Sequence, residues 1–159
     1  MSSFATIQTK INGLLMDVPG SNFVAHQNIQ IYPANTPISL NQKWTVIGHG
    51  DVAAVPDGYV IIYAGKDPSN HLCLDVPDSD AKSGKLIQLY GCNDNGAGTK
   101  NQHWKLVSGG DNYVYIASRL NEDLVLDVVG GSGAAHTKIQ IYNCGAGKPN
   151  QLWLFNPTD

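Results

Sequence analysis

Short runs rich in β-branched and aromatic residues recur about every 8 to 15 positions along the chain. The clearest are Phe4-Ala5-Thr6-Ile7, Tyr59-Val60-Ile61-Ile62-Tyr63, Lys85-Leu86-Ile87-Gln88-Leu89-Tyr90 and Tyr113-Val114-Tyr115-Ile116. Polar clusters separate them: Pro19-Gly20-Ser21-Asn22, Asp67-Pro68-Ser69-Asn70, Asn93-Asp94-Asn95-Gly96 and Gly130-Gly131-Ser132-Gly133. The runs suit pleated, half-buried strands, and the clusters supply turns. No window keeps apolar residues at i, i+3, i+4 and i+7 long enough to carry a helix. The pattern predicts an all-β chain of about a dozen short strands.

The same pattern is written three times. Asn41-Gln42-Lys43-Trp44, Asn101-Gln102-His103-Trp104 and Asn150-Gln151-Leu152-Trp153 use every tryptophan in the chain. Each follows an Asp-Val pair (Asp17-Val18, Asp75-Val76, Asp127-Val128) and an Ile-Gln-hydrophobe-Tyr run (Ile29 to Tyr32, Ile87 to Tyr90, Ile139 to Tyr142). The Asp-to-Gln offset is 13 in every copy (17 to 30, 75 to 88, 127 to 140). Such periodicity sets the architecture before any single residue does. Repeats of roughly 1–54, 55–110 and 111–159, with about four strands each, are too few for a propeller, which needs about four blades or more. A closed barrel with threefold pseudo-symmetry fits: two strands per repeat in the barrel and two in a hairpin cap. The Trp residues are expected near the axis, packed with Leu15, Leu74 and Leu126 and with Ile29, Ile87 and Ile139.

At 159 residues the chain is expected to be one domain with a real core. Its net charge is -3, from 10 basic and 13 acidic residues, with no basic run. That argues against nucleic acid, whose phosphates call for clustered Lys and Arg. Only 14% of residues are charged, so amides and hydroxyls carry much of the polarity, as suits neutral polar ligands. No stretch approaches the roughly 20 apolar residues of a membrane span, and residues 1–18 lack the pattern of a signal peptide. The expectation is a cytoplasmic protein with no membrane insertion. Cys73 and Cys92 both fall in repeat two and are expected to form an optional bridge, open in a reducing cytosol. Cys144 has no partner in its own repeat.

Two stretches carry the triplet most clearly. One is Cys73-Leu74-Asp75-Val76 with Ile87-Gln88-Leu89-Tyr90-Gly91-Cys92 and Asn101-Gln102-His103-Trp104. The other is Leu126-Asp127-Val128 with Ile139-Gln140-Ile141-Tyr142-Asn143-Cys144 and Asn150-Gln151-Leu152-Trp153. Over essentially its whole length the chain resembles the ricin B-chain type of β-trefoil lectin, and most closely the small lectins of mushrooms and other fungi. The resemblance implies a β-trefoil fold with a shallow galactose site in each repeat. It assigns Asp17, Gly20, Gln30, Tyr32, Asn41 and bracing Gln42 to repeat one. Asp127, Gly130, Gln140, Tyr142, Asn150 and Gln151 follow for repeat three. Asp75, Gln88, Tyr90, Asn101 and Gln102 make a weaker site in repeat two. It also implies a defensive role in a fungus. Nothing in the residues specifies an oligomer; a homodimer is the assembly that a small agglutinating lectin admits.

These residue types match the chemistry of a galactoside. An ionised Asp accepts hydrogen bonds from adjacent hydroxyls, and Asn can both donate and accept. The axial 4-hydroxyl leaves a patch of C–H groups on one ring face, and Tyr32, Tyr90 or Tyr142 can lie against it. A site built around a hydroxyl rejects the epimer that misplaces it, so galactose and N-acetylgalactosamine are expected over glucose. Loop lengths rank the repeats. Asp-to-Trp spans 27 residues in repeat one, 26 in repeat three and 29 in repeat two, where Asn93 to Thr99 lengthen the loop and Asp78 and Asp80 add charge. The expected order is repeat one, repeat three, repeat two.

Other chemistries find less support. His26, His49, His71, His103 and His136 show no metal-ligand spacing and are expected in turns or outward positions, and no cofactor is implied. A glycosidase would need two distinct carboxylates across a cleft, whereas three equivalent Asp residues suggest three equivalent binding places. The expectation is a non-enzymatic lectin for galactose- or N-acetylgalactosamine-terminated glycans. One alternative is a β-trefoil protease inhibitor acting through an exposed loop. Another is the sugar-binding module of a longer enzyme.

Overall fold

The computed structural model describes residues 4–65 and 72–159, and these contain twelve strands and no α-helix. The turn expected at Asp67-Pro68-Ser69-Asn70, and His71, lie outside the described residues. The strands are β1 (Phe4–Thr9), β2 (Leu15–Asp17), β3 (Gln30–Tyr32), β4 (Trp44–Gly48), β5 (Val60–Ala64), β6 (Leu72–Asp75), β7 (Gln88–Gly91), β8 (Trp104–Gly110), β9 (Tyr113–Ser118), β10 (Asn121–Val128), β11 (Ile139–Asn143) and β12 (Trp153–Thr158).

Pairing is antiparallel throughout and closes on itself. β1 pairs with β4, β4 with β5, β5 with β8, β8 with β9, β9 with β12, and β12 returns to β1. This is a six-stranded barrel without a free edge, the arrangement that removes unpaired strand rims. Three hairpins, β2–β3, β6–β7 and β10–β11, stand on it as a cap. Isolated bridges Asn28–Gln88, Gln30–Lys138 and Leu86–Gln140 join each hairpin to both others. The result is a β-trefoil.

The core repeats with the sequence. Trp44, Trp104 and Trp153 open β4, β8 and β12 and are fully buried. Each indole Nε1 donates to a carbonyl of the cap hairpin: to Met16 at 3.1 Å, Leu74 at 3.2 Å and Leu126 at 3.1 Å. Val18, Val76 and Val128, Ile29, Ile87 and Ile139, and Ile31, Leu89 and Ile141 fill one continuous cluster around them. The expected set of Leu15, Leu74 and Leu126 needs one correction. Met16, not Leu15, is the equivalent of Leu74 and Leu126 in that cluster. Side chains alternate along a strand. The residue just before the Asp therefore faces the axis, and Leu15, two before it, faces the other way, opposite Gln8 and Tyr32.

Cys73 and Cys92 are bonded across β6 and the end of β7, with Cα atoms 5.7 Å apart, and Cys144 is exposed.

The three indoles are predicted to be energetically equivalent. Trp44→Phe, Trp104→Phe and Trp153→Phe each remove one donor from a buried carbonyl and leave a small void, at a cost of about 2–4 kcal/mol. Urea denaturation of the three variants reads this directly. A loss confined to one of them would contradict the threefold core.

Candidate functional site

The carboxylate frame of each pocket is assembled from three short pieces of one repeat. The Asp closes the first hairpin strand or, at Asp127, nearly ends β10. A one-turn 3-10 segment follows: Pro19–Ser21, Pro77–Ser79 or Val129–Gly131. Its middle residue is left-handed, with φ of 60° at Gly20, 57° at Asp78 and 64° at Gly130. That conformation favours glycine, and Asp is among the few residues that tolerate it. The third piece is the 3-10 turn before each Trp (Leu40–Gln42, Lys100–Gln102, Pro149–Gln151), which carries the Asn-Gln pair.

The carboxylate geometry is the same three times. Asp17 Oδ1 accepts from Gln30 Nε2 at 2.9 Å, and Oδ2 accepts from Asn41 Nδ2 at 3.0 Å and Gln42 Nε2 at 2.9 Å. Asp75 receives Gln88, Asn101 and Gln102 at 3.0, 3.0 and 2.9 Å. Asp127 receives Gln140, Asn150 and Gln151 at 2.9, 3.0 and 2.9 Å. The Asp residues are 2–3% exposed. Burial raises the carboxyl pKa of Asp17 and Asp75 above the ordinary aspartate value, against the lowering effect of the amide bonds. Three amide donors occupy three of the roughly four lone-pair sites of a carboxylate. One acceptor position therefore remains, fewer than the two-hydroxyl grip expected from sequence.

The bracing Gln is committed elsewhere as well. Gln42 Nε2 also donates to the Pro33 carbonyl at 2.9 Å, and its Oε1 accepts from Asn35 N at 2.9 Å. Gln102 does the same with Gly91 and Asn93, and Gln151 with Asn143 and Gly145. The Asn amide is shared too: Asn41, Asn101 and Asn150 each donate to the carbonyl of the Val after the Asp. The Asn thus orients the carboxylate as much as it faces the pocket.

Around this frame the rims differ. Tyr32 is half-buried, and Tyr90 and Tyr142 are exposed, each at its pocket wall. Ser39 and Thr99 hydroxyls donate to Asn41 and Asn101 and accept from Asn35 and Asn93. Repeat three has Lys148 and Gly145 at those positions. The cavity is about 370 Å³ in repeat one, about 420 Å³ in repeat three and about 800 Å³ in repeat two. The long Asn93–Thr99 loop, counted as a weakness from sequence, helps to line the largest of the three. Asp78 lines it as well, whereas Asp80 lies 3.6 Å from Lys85 in an ion pair.

Two exposed histidines lie in turns, as expected, and those turns stand at pocket rims. His136, from repeat three, lines the pocket of repeat one, and His26, from repeat one, lines that of repeat two. Both lie nine residues after their own Asp, a shared offset that was visible in the sequence but unassigned. His103 departs from the expected turn or outward position: it is 3% exposed, bonded to the Ala97 carbonyl at 2.8 Å and to Arg119 at 2.9 Å, and burial lowers its pKa. Among the described residues no three His, Cys, Asp or Glu side chains group closely enough to hold a metal.

The sequence model described as "Ricin-type beta-trefoil lectin domain-like" matches residues 40–142 and again 100–159. The chain belongs to this ricin-type family. No curated protein matches the sequence. Among solved structures, this ricin-type trefoil is similar to the designed threefold-symmetric protein ThreeFoil, with TM-score 0.81, 24% identity and 96% of both chains covered. It is similar to an exo-β-1,3-galactanase from Clostridium thermocellum, with TM-score 0.82 and 28% identity; 99% of this chain corresponds to 31% of that one. It is also similar to the C-half of the earthworm R-type lectin solved in complex with GalNAc, with TM-score 0.70, 22% identity and 98% and 99% of the chains covered.

The carboxylate frame predicts the cost of cutting it. Gln42→Ala strands the Asn35 amide and removes donors from the Asp17 carboxylate and the Pro33 carbonyl, for an expected loss of about 3 kcal/mol. A urea midpoint unchanged from the parent would refute the bracing role.

Proposed function

We propose that this chain is a lectin that binds terminal galactose or N-acetylgalactosamine on glycoproteins and glycolipids, and that it performs no chemistry on them. The observation that carries the reading is the threefold repetition of a buried, amide-braced carboxylate with a tyrosine at its rim. Folding does not require a buried charge, and a hydrophobic isostere is often as stable. A charge kept three times at the floor of an open pocket suits a ligand rich in hydroxyls. The earthworm relative was solved in complex with GalNAc, which supports the same sugar class.

Binding without hydrolysis is the reading that pockets one and three support; pocket two is lined by Asp75, Asp78 and Asp94. Glycosidases set two carboxyl groups about 5 to 9.5 Å apart across the scissile bond. The pockets of repeats one and three are each lined by a single carboxylate, Asp17 or Asp127. A second reading draws on the galactanase match: a chain spanning about a third of that enzyme can also serve as the sugar-targeting module of a longer protein. Both readings place the same residues on the sugar. Defence in a fungus extends the lectin reading and comes from the resemblance to mushroom lectins.

Lactose titrated calorimetrically is expected to bind weakly at each site, on the order of 1 mM, or about -4 kcal/mol. Tyr32→Ala, Tyr90→Ala and Tyr142→Ala should each remove one stacking wall, worth about 1 kcal/mol. The triple variant should fold and bind about fivefold more weakly at every site. A glycan array on which no galactoside is retained would overturn the reading, and inhibition of a protease by the triple variant would favour the loop-inhibitor alternative.

Binding should also fail in acid before the fold does. Because the Asp17 and Asp75 carboxyls sit above the ordinary aspartate range, they take up protons earlier on acidification than a solvated Asp. Protonation removes an acceptor, so lactose affinity at repeats one and two falls as pH drops through the raised pKa. The folded form is the one that holds the extra proton. Its contribution to stability is therefore present at low pH and lost as pH rises through the folded pKa. Affinity and melting measured together from pH 7 to 4 should separate in that order.

A further inference from the structure

The loop between the two strands of each cap hairpin leaves its own repeat and reaches the hairpin of the next. Residues nine after each Asp mark the crossing: His26, Gly84 and His136. All three are left-handed, with φ of 74°, 96° and 72°. Their amides donate to the second hairpin strand of the neighbouring repeat, His26 to Leu89 at 2.7 Å, Gly84 to Ile141 at 2.7 Å and His136 to Ile31 at 2.9 Å. Repeat one thus serves pocket two and repeat three serves pocket one, whereas the lining of pocket three comes from repeat three alone.

At two crossings the residue adds a ring. His136 Nδ1 lies 3.2 Å from Gln30 Oε1, and His26 Nδ1 lies 3.2 Å from Gln88 Oε1. Each of these glutamines spends its Nε2 proton on the Asp, so its Oε1 is an acceptor and the histidine Nδ1 must carry the proton. That fixes the neutral tautomer and leaves Nε2 as a bare acceptor. Among the described residues no other side-chain hydrogen bond reaches either ring. The imidazoles stand 5.0 Å from the Tyr32 ring and 5.2 Å from the Tyr90 ring, tilted by 54° and 56°. Tyr and His therefore form a corner in the same pocket as the carboxylate. At the third crossing there is only Gly84, where a Cβ would meet Gln140 Oε1 at 4.0 Å.

We propose that His26 and His136 are sugar-binding residues lent across repeat boundaries, each accepting a ring hydroxyl at Nε2, and that Gly84 leaves pocket three without this contact. The proposal rests on the galactoside reading. It answers a shortage of acceptors: the braced carboxylate keeps about one free acceptor site, and a ring presenting adjacent hydroxyls needs a second. Pockets one and two form one class and pocket three another, a division that cuts across the order drawn from loop lengths.

Lactose titrations of the full chain followed by NMR, using the backbone amides of Tyr32, Tyr90 and Tyr142 as reporters, test this. His26→Gly, which relieves a left-handed residue, should weaken binding about three- to tenfold at Tyr90 and leave Tyr32 and Tyr142 unchanged. His136→Gly should do the same at Tyr32 alone. Gly84→His, placed on a backbone that already carries His at the two equivalent positions, should tighten Tyr142 by a similar factor. The imidazole nitrogen shifts of His26 and His136 should show the proton on Nδ1. If lactose moves all three reporters but the His variants leave every affinity within twofold, or act on their own repeat, this inference falls and the lectin reading stands. If lactose moves none of the three in the parent, both fall together.

Discussion

A carboxylate taken out of water must be met by donors, and that requirement organises each third of this molecule. Asp17, Asp75 and Asp127 are almost fully buried. Each takes one amide from the partner strand of its own hairpin and two from the turn ahead of the next barrel strand. The hairpin is thereby tied to the turn, and the turn delivers the Trp that opens the barrel strand. The indole closes the loop by donating back to the carbonyl just before the Asp. Removing one amide leaves the charge short of donors and the backbone groups it also serves unpaired, which costs more than the bond itself. Site and core thus share one hydrogen-bonded circuit, and the site cannot loosen without the core noticing.

Threefold repetition then supplies what a single repeat lacks. A four-stranded unit of this size cannot bury its own apolar face, and two of its strands would present open edges. Ring closure pairs β12 with β1, and the cap bridges join every hairpin to the other two. A designed protein of threefold symmetry has the same fold at 24% identity.

How much of this could be read from the chain depends on where a residue's partners lie. The Trp, Val and Ile positions, the Asp-to-Gln offset and the Asn-Gln pairs were legible because their contacts stay inside one repeat and recur in register. Leu15 was misplaced by one residue, since Leu-Met-Asp in repeat one offers two apolar candidates and only strand alternation chooses Met16. His103 looked like a turn residue, yet the Asn93–Thr99 loop folds back to cover it and Ala97 receives its ring nitrogen. The rim histidines were out of reach for a different reason. Their partners lie 62 and 106 residues away, in another repeat, and only the cap topology brings them together.

The division between frame and rim has a physical basis. Positions that satisfy a buried charge have no substitute in water, so Asp, Gln, Asn and Gln recur unchanged in all three repeats. Positions at the rim can exchange a protein partner for solvent at little cost. There the repeats diverge: Ser39, Thr99 and Lys148; Gly20, Asp78 and Gly130; His136, His26 and Gly84. A rim carrying Lys148 and no imidazole admits different substituents from one carrying a hydroxyl and an imidazole. Because the rim residues lie outside the circuit that holds the carboxylates, differences in sugar preference between the pockets can accumulate there without disturbing it.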